Sequence, residues 1–482
     1  MSKLWTMALA LIVGAGLLAA PAMAQDSDAD SVGSINRGGG EGVNTELGKK
    51  GLVIETDGFK LGITTRVQFR LTYQNEVGHG NDGQNGRDFV NFRVRRAKTT
   101  LSGYIFEKEF QYKATLSWAS GANIIEEAFF RWAILQYINV TAGQTKLPWN
   151  WEEITSSGSQ QFVDRGYVNE VFNQDFAKGI TIDGKVGEDV SWLKYWVGVY
   201  NGVTKGEADF RNADQALPSE AFTNRIVDGD MMVNLRLETH PLGDVKYGMN
   251  DQRGEDEHGK PIFAIGLGVN WLLGNFNNTN IRPDESGAGA TGSGRSRTSH
   301  DTLAVTLDGH FRMFGISVDI AVFMRHTEFH NHGRNKYNPT NPTRNGTGNF
   351  DDLGFTFDVA YFILPKQLNV GIRWNWLNSD EVWQAGSTSR RFGVRPDANE
   401  IGLSVNYYVH GENLKLTFDL LYVSEQLPLA MNADGAGGSQ SIQGVYTSPP
   451  ARSAGSLSAS SGAGASDYAD TWIIRLQLQW IF

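Results

Sequence analysis

The last twelve residues, Thr471 to Phe482, alternate without a break. Trp472, Ile474, Leu476, Leu478, Trp480 and Phe482 share one parity, and Arg475, Gln477 and Gln479 share the other. A period of two predicts a strand. One purely apolar face and one basic-polar face suit a wall between lipid and water. A water-soluble sandwich would show the same alternation, so this strand alone leaves both architectures open.

The pattern recurs along the chain and predicts sixteen strands, the first over Phe59–Glu76, the second over Phe89–Ile105 and the last over Asp467–Phe482. Short turns are expected at Glu107, Leu135-Gln136, Gly187–Asp189, Met313-Phe314, Leu364–Lys366 and His410–Glu412. Long loops are expected at Lys146–Phe176, Asn201–Asp228, Leu273–Ser299, Asn331–Asp351 and Glu425–Ser466. Short turns on one side and long loops on the other are the asymmetry of an outer-membrane barrel. Two connections break the rule: Pro241–Lys260 is long on the short-turn side, and Gly121-Ala122 is short on the loop side. The reading is an all-β fold, a 16-stranded antiparallel transmembrane β-barrel, with both termini in the periplasm.

Composition fits strands that are apolar on one face only: 26 Phe, 15 Tyr, 13 Trp and 56 Gly accompany a mean hydropathy of −0.33. The net charge of −10 argues against a nucleic-acid partner. With no cysteine, disulfides and thiolate metal sites are excluded. Lys3, the apolar stretch Leu4–Ala20 and the small-x-small step Ala22-Met23-Ala24 predict a signal peptide over 1–24. Residues 25–58 are rich in Gly, Asp and Ser and read as a flexible periplasmic segment ahead of a barrel over 59–482.

Facing the apolar parity to lipid sends a set of basic side chains inward, because Arg or Lys at the lipid midplane costs roughly 2–4 kcal/mol. The first strand contributes Arg66 and Arg70, opposite in parity to Ile63, Val67, Phe69 and Leu71. Lys113, Arg131, Lys194, Arg236, Arg312, Arg325, Arg373, Lys415 and Arg475 follow on later strands. In the second strand the apolar parity switches between Val94 and Ala97. A one-residue bulge near Arg95-Arg96 would place Arg93, Arg95, Arg96 and Lys98 along one wall. Stacked cations in a confined aqueous channel attract anions, and guanidiniums suit phosphate because they bind two oxygens at once. The competing reading is that these cations pair with inward acids, for which Glu127, Glu238, Asp308, Asp319, Asp358, Glu400 and Asp419 have the right parity.

The terminal strand closing on Phe482 resembles the C-terminal signal strand of Gram-negative outer-membrane barrels. Gly143-Gln144-Thr145-Lys146-Leu147-Pro148-Trp149, then Glu152–Ser157, then Phe162-Val163-Asp164-Arg165, resemble the third loop of the phosphate-selective porin O/P family. Phe92–Lys98 followed by Leu101-Ser102-Gly103 is similar to that family's Arg-rich second strand. The match covers about Phe89 to Val199. The resemblance implies a sixteen-stranded trimeric outer-membrane porin whose inward-folded third loop forms the constriction. It also implies that Lys146, Arg165 and the second-strand cluster contact the solute. The chain departs from the family in Trp149, where Phe is usual, and in Gly166, where Ser is frequent.

Other constellations point to no chemistry. His326, His330 and His332 read as exposed loop histidines, and Glu255-Asp256-Glu257-His258 reads as a solvated charge run. Adjacent Glu152 and Glu153 point apart, which argues against paired acid–base work, and no nucleophile motif occurs. No catalytic, metal or cofactor site is expected. The expected function is passive diffusion of small anions, phosphate or polyphosphate among them, through a basic lumen. A general or carbohydrate-type porin is the alternative, with Trp149 and Trp151 available for sugar stacking; an outer-membrane enzyme or a structural barrel is a more distant one. Expected partners are two further copies in a homotrimer, outer-membrane lipid and lipopolysaccharide, small anions, and the barrel assembly machinery through Phe482.

Overall fold

The computed structural model describes residues 43–48, 51–78, 88–119, 125–172, 176–187, 192–201, 217–218, 225–228, 231–253, 259–273, 296–330, 349–379, 398–426, 441–442, 445–446 and 469–482. The expected signal peptide, most of the expected leader, His332 and the charge run at 255–258 lie outside them. Sixteen antiparallel strands form a closed ring. The first eight are β1 (Phe59–Gly78), β2 (Asp88–Ile105), β3 (Glu107–Ser117), β4 (Ile125–Leu135), β5 (Ile138–Lys146), β6 (Phe176–Val186), β7 (Leu193–Asn201) and β8 (Met231–Thr239). The rest are β9 (Ile262–Leu273), β10 (Ser296–Met313), β11 (Ile316–His330), β12 (Asn349–Leu364), β13 (Leu368–Ser379), β14 (Ala398–Tyr408), β15 (Leu414–Gln426) and β16 (Ala469–Ile481). Each strand pairs with its sequence neighbours, and β16 pairs with both β15 and β1. Closure leaves no open edge, as a wall in hydrocarbon requires. It extends to the last residue, where Thr65 N donates to Phe482 O at 2.7 Å and Phe482 N to Thr65 O at 2.9 Å.

The alternation foreseen from the sequence is the physical basis of the wall. In β8 the odd-numbered positions are half-buried, while Met232, Asn234, Arg236 and Glu238 are buried. On the outward face Phe92, Ile180, Leu307, Ile372 and Trp480 stand exposed. In water such a surface would be untenable; against acyl chains it is the favourable one. The expected bulge is present: Gln68 pairs with Arg96 and Phe69 pairs with Val94, which leaves Arg95 as the extra residue. A second bulge, between Thr115 and Leu116 against β4, turns both Glu126 and Glu127 to the polar side.

One segment differs from the sequence expectation. Residues 44–48 and 51–56, read as part of a flexible leader, pair with each other, and the second of these strands pairs with the start of β1. Glu55 anchors the hairpin by accepting from Lys60 Nζ at 2.8 Å and from Tyr104 Oη at 2.9 Å. The β-prone run Leu52-Val53-Ile54 supplies the propensity that the surrounding Gly and Asp obscure. The long connection between β8 and β9, expected from the sequence, packs inward over its described residues, with Val245, Met249 and Asp251 buried.

Candidate functional site

Residues 147–172, between β5 and β6, carry two short helices, α1 (Trp151–Ile154) and α2 (Tyr167–Phe172). Asn150 caps α1, its Oδ1 accepting from Glu153 N at 2.8 Å. Arg165 closes the other end, donating to the carbonyls of Glu152, Glu153 and Thr155 at 3.1–3.2 Å. Helix ends leave such carbonyls without partners, and a guanidinium satisfies several at once. Arg165, read from the sequence as a solute contact, therefore holds the segment in shape.

The whole segment lies against the polar face of the wall. Asn234 Nδ2 donates to Pro148 O at 2.8 Å, and Arg236 NH1 to Trp149 O at 2.8 Å. Lys415 Nζ donates to Gln160 O at 3.1 Å, Asn406 Nδ2 to Gln161 O at 2.8 Å, and Gln479 Nε2 to Gly158 O at 3.0 Å. Apolar contacts complete the seat: Phe172 and Trp149 pack on Phe323 with ring centroids 5.3 and 5.6 Å apart. The β8–β9 connection supports the segment from the short-turn end. Trp151 is sandwiched between His310 and Tyr247, at 3.9 and 4.6 Å, and Met249 N donates to Ser159 O at 3.2 Å.

This seating divides the sequence-predicted cations into two groups. Arg236 is buried between Asp308 and Glu238, Arg312 binds Asp319, and Arg325 binds Asp352. Arg373 reaches Asp358, Glu152 and Glu400, and Arg475 forks onto Asp419. Arg70 forks onto Asp164 at 2.7 and 2.8 Å, Arg96 reaches the same carboxylate at 3.2 Å, and Arg95 lies 3.9 Å away. Arg93 stands opposite Arg70 in the ladder. For Arg70, Arg95, Arg96, Arg236, Arg312, Arg325, Arg373 and Arg475 the pairing with acids has prevailed over display to water. Removing one partner from such buried pairs leaves an uncompensated charge, so they hold the segment in place.

The second group borders open space. A cavity of about 790 Å³ lies between the segment and the wall of β1 to β7. Its lining includes Arg66, Lys98, Lys113, Arg131 and Lys146 against three carboxylates, Glu126, Glu127 and Asp183. Thr64, Thr100, Thr115, Thr141, Ser156 and Ser157 add hydroxyls. Lys98 pairs with Glu126, Lys113 with Glu127 at 2.6 Å, Arg131 with Asp183 at 2.6 Å, and Lys146 with Glu153 at 3.4 Å. Arg66 has no carboxylate partner among the described residues; its NH1 donates to Ser156 Oγ at 2.9 Å. Lys113 and Lys146 also lie over the rings of Phe129 and Phe176, at 6.0 and 5.6 Å.

Two loop carboxyls are strongly perturbed. Burial pushes Glu152 up to about 7, against the opposing pull of Arg373. Burial would also raise Asp164, but Arg70, Arg95, Arg475 and Arg96 hold its carboxyl well below the ordinary range. Sequence parity identified neither residue, since both lie where no period exists. Trp149 and Trp151, considered for sugar stacking, are each 1% exposed and face protein. Among the described residues no cluster of His, Asp or Glu could hold a metal ion.

The sequence was compared with known proteins. Comparison with curated proteins gives no match. Among solved structures it is similar to OmpT, an outer membrane protein of Vibrio cholerae in trimer form, with 9% identity and a TM-score of 0.45 over 88% of this chain and 100% of that one. It is similar to an anion-selective porin from Comamonas acidovorans, with 10% identity and a TM-score of 0.46 over 88% and 100%. It is likewise similar to Pseudomonas putida OprB at high pH, with 10% identity and a TM-score of 0.45 over 88% and 94%. The fold rests on the strand register rather than on these likenesses. The sequence model of the family described as Phosphate-selective porin O and P matches residues 63–233, which run from within β1 to the start of β8 and include the segment 147–172. Over those residues, about a third of the chain, the sequence is similar to the phosphate-selective porin O and P family.

Proposed function

We propose that this outer-membrane porin is an anion-preferring diffusion pore whose constriction lies between the inward-folded segment 147–172 and the wall of β1 to β7. The observation that carries the reading is the cavity lining, in which five cationic side chains face three carboxylates. The excess is modest, because four of the five cations have an acid partner. A small anion passing Arg66 would exchange part of its hydration for the guanidinium and the Ser156 and Ser157 hydroxyls without being held. Burial of Trp149 and Trp151 removes the aromatic surface that a sugar-stacking track would need. Phe129 and Phe176 do border the cavity, but lysine ammonium groups cover their faces. The assembly that fits this reading is a homotrimer exported by the signal peptide over 1–24.

Reversal potential in a potassium chloride gradient across a planar bilayer tests the proposal. Chloride should permeate better than potassium. A potassium preference, or none, would reject the anion-preferring pore in favour of a general one.

A further inference from the structure

Asp164 sits where three neighbouring strands converge. Arg475 comes from β16, Arg70 from β1, and Arg95 and Arg96 from the bulge of β2. The two carboxylate oxygens accept four hydrogen bonds: two from Arg70 at 2.7 and 2.8 Å, one from Arg96 at 3.2 Å and one from Arg475 at 3.1 Å. That fills the lone-pair capacity of a carboxylate. The acid is delivered by its backbone, which is itself pinned. Val163 N donates to Asp419 Oδ2 at 2.9 Å, and Arg373 NH1 to Asp164 O at 3.0 Å. The cluster is not sealed, since the side chains of Asp164, Arg96 and Arg95 are 16%, 12% and 25% exposed.

Converging guanidiniums of this kind are the geometry that binds a free oxyanion, whose several oxygens each accept charge-assisted bonds. Here a side chain of the protein occupies that position. Resting on the pore reading above, we propose that Asp164 is a specificity-determining residue. It is a tethered carboxylate that fills an oxyanion site built by Arg70, Arg96 and Arg475, and so keeps doubly charged oxyanions from lodging at this partly exposed cluster. The strand arginines then serve conduction indirectly. They would trap sulfate or phosphate if left open, and the loop closes them with its own anion.

The test is block of the single-channel chloride current by sulfate or inorganic phosphate, in wild type, D164N, D164E and the double variant D164N/R96Q. D164N keeps the shape of the side chain and removes its charge. Its half-blocking concentration of sulfate should fall by about tenfold or more, the value of one charge-assisted hydrogen bond set. D164E should restore the wild-type response, and D164N/R96Q should lose much of the gained block. A conducting D164N channel with unchanged block overturns the proposal and leaves the porin reading intact. Absence of any current from the wild-type protein overturns the porin reading instead. The wild-type titration is decisive even if D164N fails to fold. Weak block, with half-effect only at millimolar sulfate or above, supports a closed site; half-block by sub-millimolar sulfate would mean that the arginines are already open to solute.

Discussion

On the proposed reading, a single carboxyl governs much of what the passage would admit. Glu126 lines the cavity and neutralises Lys98. One unit charge at contact distance in water is worth about 1 kcal/mol. E126Q should therefore raise the chloride-to-potassium permeability ratio by up to about fivefold at low salt, and K98Q should lower it; reversal potentials check both. Glu152 makes a pH-dependent contact. Its value of about 7 in the folded protein lies above the ordinary 4.5. Between those values the folded protein keeps a proton that the unfolded chain has released, so this contribution is full below the lower value and is lost as pH rises through the upper one. Amides of residues 150–166 should exchange more slowly at pH 5 than at pH 8 after correction for intrinsic rates, and E152Q should flatten the difference. A profile identical in wild type and E152Q would show that Glu152 is not the group responsible. These roles were hidden in the sequence for a definite reason. Arg475 and Asp164 meet across most of the chain, and no local period connects them.

The strands were legible because each wall residue sees one of two solvents, lipid or water, and the choice alternates. Parity alone foretold the bulge at Arg95, since no other device keeps both Arg93 and Arg96 off the lipid side. The third loop was expected from a resemblance, but the packing of the segment 147–172 and of the β8–β9 connection was not legible from any period. Their apolar residues are buried without periodicity, and only the assembled ring creates the space they fill. Trp151 links the two elements through Tyr247 and His310. W151A should lower stability by about 3–5 kcal/mol, read as a shift in the urea midpoint in detergent. It should also raise single-channel conductance, because the segment loses its support at the short-turn end. A normal midpoint and unchanged conductance would show that the two elements are seated independently. Gly268 marks the opposite limit of the fit: a Cβ there would meet Trp149 O at 2.1 Å, so the segment rests directly on the β9 backbone.

Across the whole molecule, the inside and outside of the ring obey opposite rules. Outside, apolar side chains remain exposed for lipid; inside, the packed material is mostly polar, with ion pairs and an apolar cluster within it. The internal charges are matched nearly one to one from β8 to β16, as in Arg236 with Asp308 and Arg475 with Asp419. The sequence supplied both partners of these pairs in the correct parity. What it withheld was which of them the third loop covers, and with it the distinction between cations packed beneath that loop and cations that border the cavity. The strand hairpin over 44–56 extends the short-turn end beyond β1, so the chain enters the barrel through paired backbone.

The off-centre seat of the segment has one last consequence. It leans mainly on the later strands and leaves a cavity against the wall of β1 to β7. Durability and permeability are thus written in separate sectors of one circle. A lineage carrying this arrangement can revise the solutes it admits by exchanging a few residues on the thin side, while the braced side preserves the shape of the vessel. Diversity of cargo then needs no renegotiation of the fold.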